Sequence, residues 1–259
     1  MSTPEPGEAP DAPGTARDAP GTAGAEAGRA GAGRAARHGG GSANPARDER
    51  LLLCDALDLA GPDAPTKCAG WTAADLAAHL VVRETRPDAA PGILLPPLAF
   101  YTERVRRRAA RSVPFGRLVE RIRQGPPKFS PYAVTVVDKN TNTVEFFVHH
   151  EDVRRARADW EPRNLPPPLE ELLWRRIKIA RFVLKKVPID VTLVRPDGRG
   201  ARVSGARRGG PRETRGPVRV HGPVGELVLW SLGRTDVARV RVTGPTDSVK
   251  TLTETGWSL

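Results

Sequence analysis

Glu145 and His149 stand four residues apart in a segment whose pattern predicts a helix opened by Asn142 or Thr143 and carrying Glu145 to Ala158. At ~100° per residue the two side chains share one face, with Cβ atoms about 5–6 Å apart. That is close enough for both to reach one ion, since zinc takes imidazole nitrogen at about 2.0–2.1 Å and carboxylate oxygen at about 2.0–2.2 Å. A third donor, His79, lies on another predicted helix, where it shares a stripe with Leu76, Leu80 and Arg83 and points inward. Glu145 is set among Val144, Phe146, Phe147 and Val148. A carboxylate there is expensive to bury unless something pairs with it, and a metal ion would do so. Two imidazoles and one carboxylate leave a position open for water or substrate, the pattern of a catalytic rather than a structural zinc site. Iron or nickel would accept the same donors. His150 points about 100° away from His149 and cannot serve this face. Asp152 returns to the Glu145 side, where it can hydrogen-bond a ligand imidazole. The plain alternatives are a buried His79 bonded to backbone and a Glu145–His149 pair on an exposed face.

Positioning these groups falls to a series of helices. Leu52, Leu53, Ala56, Leu57 and Ala60 give helical spacing to Arg47–Ala60, which Gly61-Pro62 stops. The His79 helix starts at Thr72, with Asp75 three residues on as in a capping box, and ends near Arg86 before Pro87. A Pro-rich loop over 87–97, helices over 98–110 and 115–124, and a loop over 125–138 come next. After a break at Pro162–Pro168, Leu169–Val187 reads as one long amphipathic helix. From Pro188 the period changes. Ile189–Arg195 alternates like a strand, Pro196-Asp197-Gly198 is a turn, and Ala201–Ser204 returns as a hairpin. Pro217–His221 and Ala238–Val242 read as further strands, Gly225–Leu232 and Pro245–Thr255 as helices. The expected organisation is a disordered tail over 1–46, a helical metal-binding domain over 47–187 and a small α+β domain over 188–259.

Composition limits the function classes. The tail is rich in Ala, Gly and Pro and has no aromatic residue, so it buries too little apolar surface to offset its chain entropy. It lacks the apolar run of a signal peptide. No segment approaches the roughly 18 apolar residues of a membrane span. Two cysteines, Cys54 and Cys68, make neither a disulfide framework nor a Cys-x-x-Cys pair, and they suit a reducing cytoplasm as unbonded thiols. The net charge of +11 is concentrated in Arg104–Arg111 and Arg207–Arg219. It admits a nucleic-acid-associated protein, a solvated basic face or a basic pocket for an anionic substrate, but neither cluster is interleaved with aromatics. Of the five histidines, His38 lies in the tail and His221, before Gly222-Pro223, reads as a turn residue. Trp71 reads as packing.

Three segments carry a resemblance. Gly70-Trp71-Thr72-Ala73-Ala74-Asp75-Leu76-Ala77-Ala78-His79-Leu80 resembles the second-helix signature of the DinB/YfiT-like metal-binding bundles, in the actinobacterial branch of mycothiol-dependent maleylpyruvate isomerases. Glu145-Phe146-Phe147-Val148-His149-His150-Glu151-Asp152-Val153 resembles that branch's Glu-x-x-x-His-x-x-Asp helix. Gly225-Glu226-Leu227-Val228-Leu229-Trp230-Ser231-Leu232-Gly233-Arg234 resembles a stretch of its carboxy-terminal domain. The resemblance covers about residues 47–255. It implies a DinB-like four-helix bundle followed by a small, sterol-carrier-protein-like α+β domain, with zinc on His79, Glu145 and His149. It also implies a thiol cosubstrate, mycothiol, activated by the metal to attack an electrophile, with Arg83 or Arg234 holding an anionic group. The Pro-rich loop from Arg86 to Gly92 has no counterpart in a maleylpyruvate site, so the substrate stays open, as does a metal-binding protein without turnover.

Overall fold

The computed structural model describes residues 44–86, 99–127, 142–204 and 216–257. The expected tail up to residue 43, the Pro-rich loop over 87–97, most of the loop over 125–138, and Arg207, Arg208, Arg212 and Arg215 of the second basic cluster lie outside them.

Among the described residues, five helices precede the break at Pro162–Pro168: α1 (Pro45–Ala60), α2 (Ala73–Thr85), α3 (Ala99–Ser112), α4 (Phe115–Gln124) and α5 (Thr143–Arg154). α1 begins at Pro45 with Asn44 as cap, so Asn44, Pro45 and Ala46, expected in the tail, belong to the helix and its cap. Thr72 and Asp75 form the expected capping box, each side chain bonding the other's backbone N–H. Gly61 takes φ 80°, a conformation that costs glycine little, and stops α1. α5 ends at Arg154, four residues before the expected Ala158. The chain turns there and brings Arg155 and Arg163 back onto buried carboxylates.

The expected helix over Leu169–Val187 is broken. α6 (Pro167–Arg176) gives way to a 3-10 turn at Ile177–Ile179, a short α7 (Ala180–Val183) and a second 3-10 turn at Leu184–Lys186. β-branched Ile177, Ile179, Val183 and Val187 crowd an α-helical turn, and the tighter winding keeps Ile177, Ala180, Leu184 and Val187 buried. β1 (Val191–Val194) and β2 (Gly200–Ser204) form the expected hairpin, with Gly198 at φ 83° in its turn. β3 (Val218–His221) pairs parallel with β1, with Val191 opposite Val218 and Leu193 opposite Val220. α8 (Val224–Ser231) separates it from β4 (Arg241–Thr243), which pairs antiparallel with β3 and starts three residues later than the expected strand. α9 (Thr246–Thr255) closes the described chain. The architecture is thus helical with a small mixed sheet, ordered β2-β1-β3-β4.

Two hydrophobic clusters hold these elements. One joins Leu53 and Leu57 of α1, Leu76 and Leu80 of α2, Leu118 and Ile122 of α4, and Phe146 and Val153 of α5. The other gathers Leu173, Ile177, Leu184, Val191, Leu193, Val220, Leu227 and Trp230 around the sheet, together with Val144, Phe147 and Val148 of α5. This second cluster runs across residue 188, where the sequence marks a change of period. α5 belongs to both, and every residue from Thr143 to Val153 except Glu145 is buried. A helix wrapped on all sides shows no amphipathic stripe. Gly225 sets how closely α8 approaches it, since a Cβ there would stand 3.0 Å from the Phe147 ring and from Leu165.

No described helix is long and apolar enough to cross a membrane. The Arg104–Arg111 cluster lies on α3, where Arg106 is buried, stacked over Trp71 and paired with Asp75 and Glu103.

Candidate metal centre

α2 and α5 bring His79, Glu145 and His149 together. One atom, Glu145 Oε1, lies 3.3 Å from Nε2 of His79 and 3.3 Å from Nε2 of His149. The three donor atoms fall within 4.8 Å of one another. Donors bound tetrahedrally at about 2.1 Å would stand about 3.4 Å apart. The two edges that meet at Glu145 Oε1 are close to that spacing, so the three residues could hold a divalent ion.

Each donor has its support. Trp71, the residue before the Thr72 cap, lays its ring 5.1 Å from that of His79, and the His149 ring stands edge-on at 5.4 Å. Asp152, one turn beyond His149, lies 2.9 Å from His149 Nδ1 through Oδ2. With Nδ1–H donating to the carboxylate, Nε2 is turned toward Glu145 and His79. Arg234 closes the chain of contacts with a fork onto Asp152, Nε to Oδ1 at 3.0 Å and Nη2 to Oδ2 at 2.8 Å.

Charge is arranged to match. Burial alone would raise the Glu145 carboxyl, but Arg83, with Nε 3.5 Å from Oε1, and the two imidazoles hold it well below the usual carboxylate range. Burial pushes His79 below the usual histidine value, favouring the neutral ring that binds metal. Burial also disfavours a charged His149, yet its bonds to Asp152, Cys68 and Glu145 carry it well above the usual value. A metal ion therefore competes with a proton for His149 Nε2. The Asp152 carboxyl is lowered despite burial, by His149 and Arg234.

Arg83 and Arg234, expected to hold an anionic group, are both engaged by protein atoms. Arg83 donates through Nη1 to Asn142 Oδ1 at 2.6 Å and faces Glu145, while Arg234 is committed to Asp152. His150 points away from the site, as the helix geometry requires, with Nδ1 3.3 Å from Glu49 Oε2. His221 ends β3 with Nε2 3.1 Å from Thr243 Oγ1. The sequence pattern marks Cys68 as an unbonded thiol and does not place it beside His149. Its Sγ lies 3.1 Å from Asp152 Oδ2 and 3.7 Å from His149 Nδ1. Its place four residues before the Thr72 cap was the available signal, but the loop that folds it onto α5 has no periodicity to read.

No protein-family model matches the chain, and no curated protein matches it. Among solved structures it is similar to a mutant of mycothiol-dependent maleylpyruvate isomerase, at 14% identity and a TM-score of 0.43, with 78% of this chain and 92% of the other covered.

Proposed function

We propose that this is a metal-binding protein with a DinB-like helical bundle, in which His79, Glu145 and His149 hold one divalent ion, zinc by preference. The ion serves a thiol-dependent transferase or isomerase of the cytoplasm, with mycothiol as cosubstrate. The observation that carries the metal reading is the approach of two imidazole nitrogens to one carboxylate oxygen at 3.3 Å each. Three protein donors leave a coordination position for an exogenous ligand. Cys68 lies on the other side of His149, with Sγ 3.7 Å from Nδ1. The thiol reading rests on the resemblance of the three motifs. Zinc, when bound, supplies the Lewis acidity that makes a coordinated thiol a thiolate at neutral pH, where a free thiol of pKa near 8.5 is only a few per cent ionised.

The residues have separable tasks. Arg83 keeps Glu145 anionic and therefore a ligand. Asp152 orients His149, and Arg234 orients Asp152. The test is elemental analysis of purified full-length protein and of His79→Ala and His149→Ala, followed by thiol titration of the zinc-loaded forms. One zinc per chain in the wild type, lost in both variants, supports the site. Equal metal content in all three defeats it. Zinc binding without thiol binding, or without transfer to any of a panel of electrophiles, removes the enzyme and leaves a metal-binding bundle.

A further inference from the structure

His149 belongs to two sets of donors. Its Nε2 faces Glu145 and His79. Its Nδ1 faces Asp152 Oδ2 at 2.9 Å and Cys68 Sγ at 3.7 Å, and that Sγ is 3.1 Å from the same Oδ2. Cys68, His149 and Asp152 thus make a second triplet whose atoms also lie within 4.8 Å of one another. By ligand type it is the stronger set for zinc, since thiolate sulfur is softer than anything in the first. It is also held in place. The loop carrying Cys68 is pinned to the end of α5 by Lys67 N–H donating to the Asp152 carbonyl at 2.9 Å, and Thr66 Oγ1 closes the turn onto the Trp71 carbonyl at 2.9 Å.

A resident cation separates the two sets. Arg234 donates to both oxygens of Asp152, and its Nη2 also lies 3.7 Å from Cys68 Sγ. An ion bonded to Asp152 Oδ2 at about 2.1 Å could lie no further than about 5 Å from that guanidinium nitrogen. Arg83 stands otherwise to the first set: its Nε approaches Glu145 Oε1 at 3.5 Å, longer than either bond of Arg234 to Asp152, and its Nη1 donates to Asn142 Oδ1. The position of Arg234 is fixed by the end of α8. Gly233 takes φ 91°, its N–H donates to the Trp230 carbonyl at 3.1 Å, and the Arg234 N–H donates to the Leu229 carbonyl at 3.0 Å. This is a Schellman turn, which favours glycine at that position and aims the next residue. Arg234 Nη1 then donates to the Leu232 carbonyl at 2.9 Å, so the guanidinium is built in.

We propose that Arg234 reserves Asp152 and Cys68 against metal ions and so makes His149 meet its ion through Nε2 rather than Nδ1. The inference rests on the metal reading above. It adds that metal position is set by a cation from the Gly233-Arg234 turn, and that Cys68 is a latent ligand kept out of coordination.

Cobalt(II) titration of the full chain tests it, because sulfur coordination gives a near-ultraviolet charge-transfer band that nitrogen and oxygen donors do not. The wild type and Cys68→Ser are expected to take one cobalt with no such band. Arg234→Met is expected to gain the band, and Arg234→Met with Cys68→Ser to lose it again. Arg234→Lys, which keeps the charge, stays without it. Cobalt retention falls in His79→Ala and returns through sulfur in His79→Ala with Arg234→Met. A sulfur band in the wild type that Cys68→Ser removes overturns the proposal while leaving a metal site standing. So does a folded Arg234→Met, or Arg234→Gln if the first fails to fold, with a wild-type spectrum. Absence of cobalt binding in the wild type overturns the underlying metal reading instead.

Discussion

Arg155, just past the end of α5, grips Glu226 of α8 with both terminal nitrogens, Nη1 to Oε2 at 2.9 Å and Nη2 to Oε1 at 2.5 Å. Both side chains are buried. Arg155 also donates through Nε to Glu151 at 2.6 Å, and Glu226 Oε2 accepts from the Arg239 backbone N–H at 2.7 Å. Breaking a fully buried pair outright costs about 3–5 kcal/mol, and here Glu151 and the Val237 carbonyl remain on Arg155 to offset part of it. Glu226→Ala is therefore expected to lower unfolding free energy in urea titration, by less than that full amount. Replacing both partners with apolar residues should cost less than the two single changes together. Strict additivity would show that the pair does not join α5 to α8.

Zinc should stabilise the fold measurably. An ion that binds only the folded chain adds about 2.7 kcal/mol at a concentration one hundred times its Kd. The expected outcome is a rise in Tm on zinc addition for the wild type, reversed by chelator. His149→Ala should show no zinc-dependent rise. A rise of equal size in that variant would place the ion elsewhere.

Glu49 should be one of the carboxylates that make the fold acid-sensitive. Burial alone would raise this carboxyl, but His150 and Arg163 outweigh it and bring the value to about 2, against 4.5 for the unperturbed group. A folded value below the unfolded one means that the contribution is fully present above pH 4.5 and is lost as pH falls toward 2. At 1.36 kcal/mol per unit, the shift corresponds to about 3 kcal/mol. Glu49→Gln is expected to be less stable at neutral pH and to show a flatter decline between pH 4.5 and 2 than the wild type, measured by urea midpoints across that range. Parallel curves would reject the assignment.

What could be read from the sequence follows from how local each signal is. The Thr72 cap, the Gly61 stop and the Pro196-Asp197-Gly198 turn depend on a few neighbouring residues, and each stands where the pattern put it. The approach of His79 to Glu145 is not local; the pattern put His79 on the inward stripe of its helix and Glu145 on one face with His149, and the resemblance of the two segments joined them. Arg155, Glu226, Glu49 and Arg163 gave no signal. Their partners are 71 and 114 residues away in the chain, and a charged residue in a run of charges looks solvated until its partner is placed. α5 hid its depth for a related reason: a helix buried on every side carries polar residues wherever a buried partner awaits them, so its pattern has no period. The single helix expected over Leu169–Val187 failed because apolar spacing does not distinguish continuous α-helix from α-turns relieved by 3-10 winding.

The capping box at the start of α2 links stability to the metal site. Asp75 accepts from the Thr72 backbone N–H at 3.2 Å and is also paired with Arg106, whose guanidinium lies 4.5 Å from the centre of the Trp71 ring. That ring in turn packs on His79. Thr72→Ala removes one cap acceptor and should cost about 1 kcal/mol, within the usual range for such caps. Asp75→Ala removes a cap acceptor and the partner of Arg106 together, so it should cost more. It should also weaken zinc binding, because Arg106, left with Glu103, is held less firmly against Trp71, which packs on His79. Denaturation and zinc titration of both variants check this ordering. If Thr72→Ala and Asp75→Ala lose stability equally and both keep wild-type zinc affinity, the path from Asp75 through Arg106 and Trp71 to His79 is packing without consequence for the site.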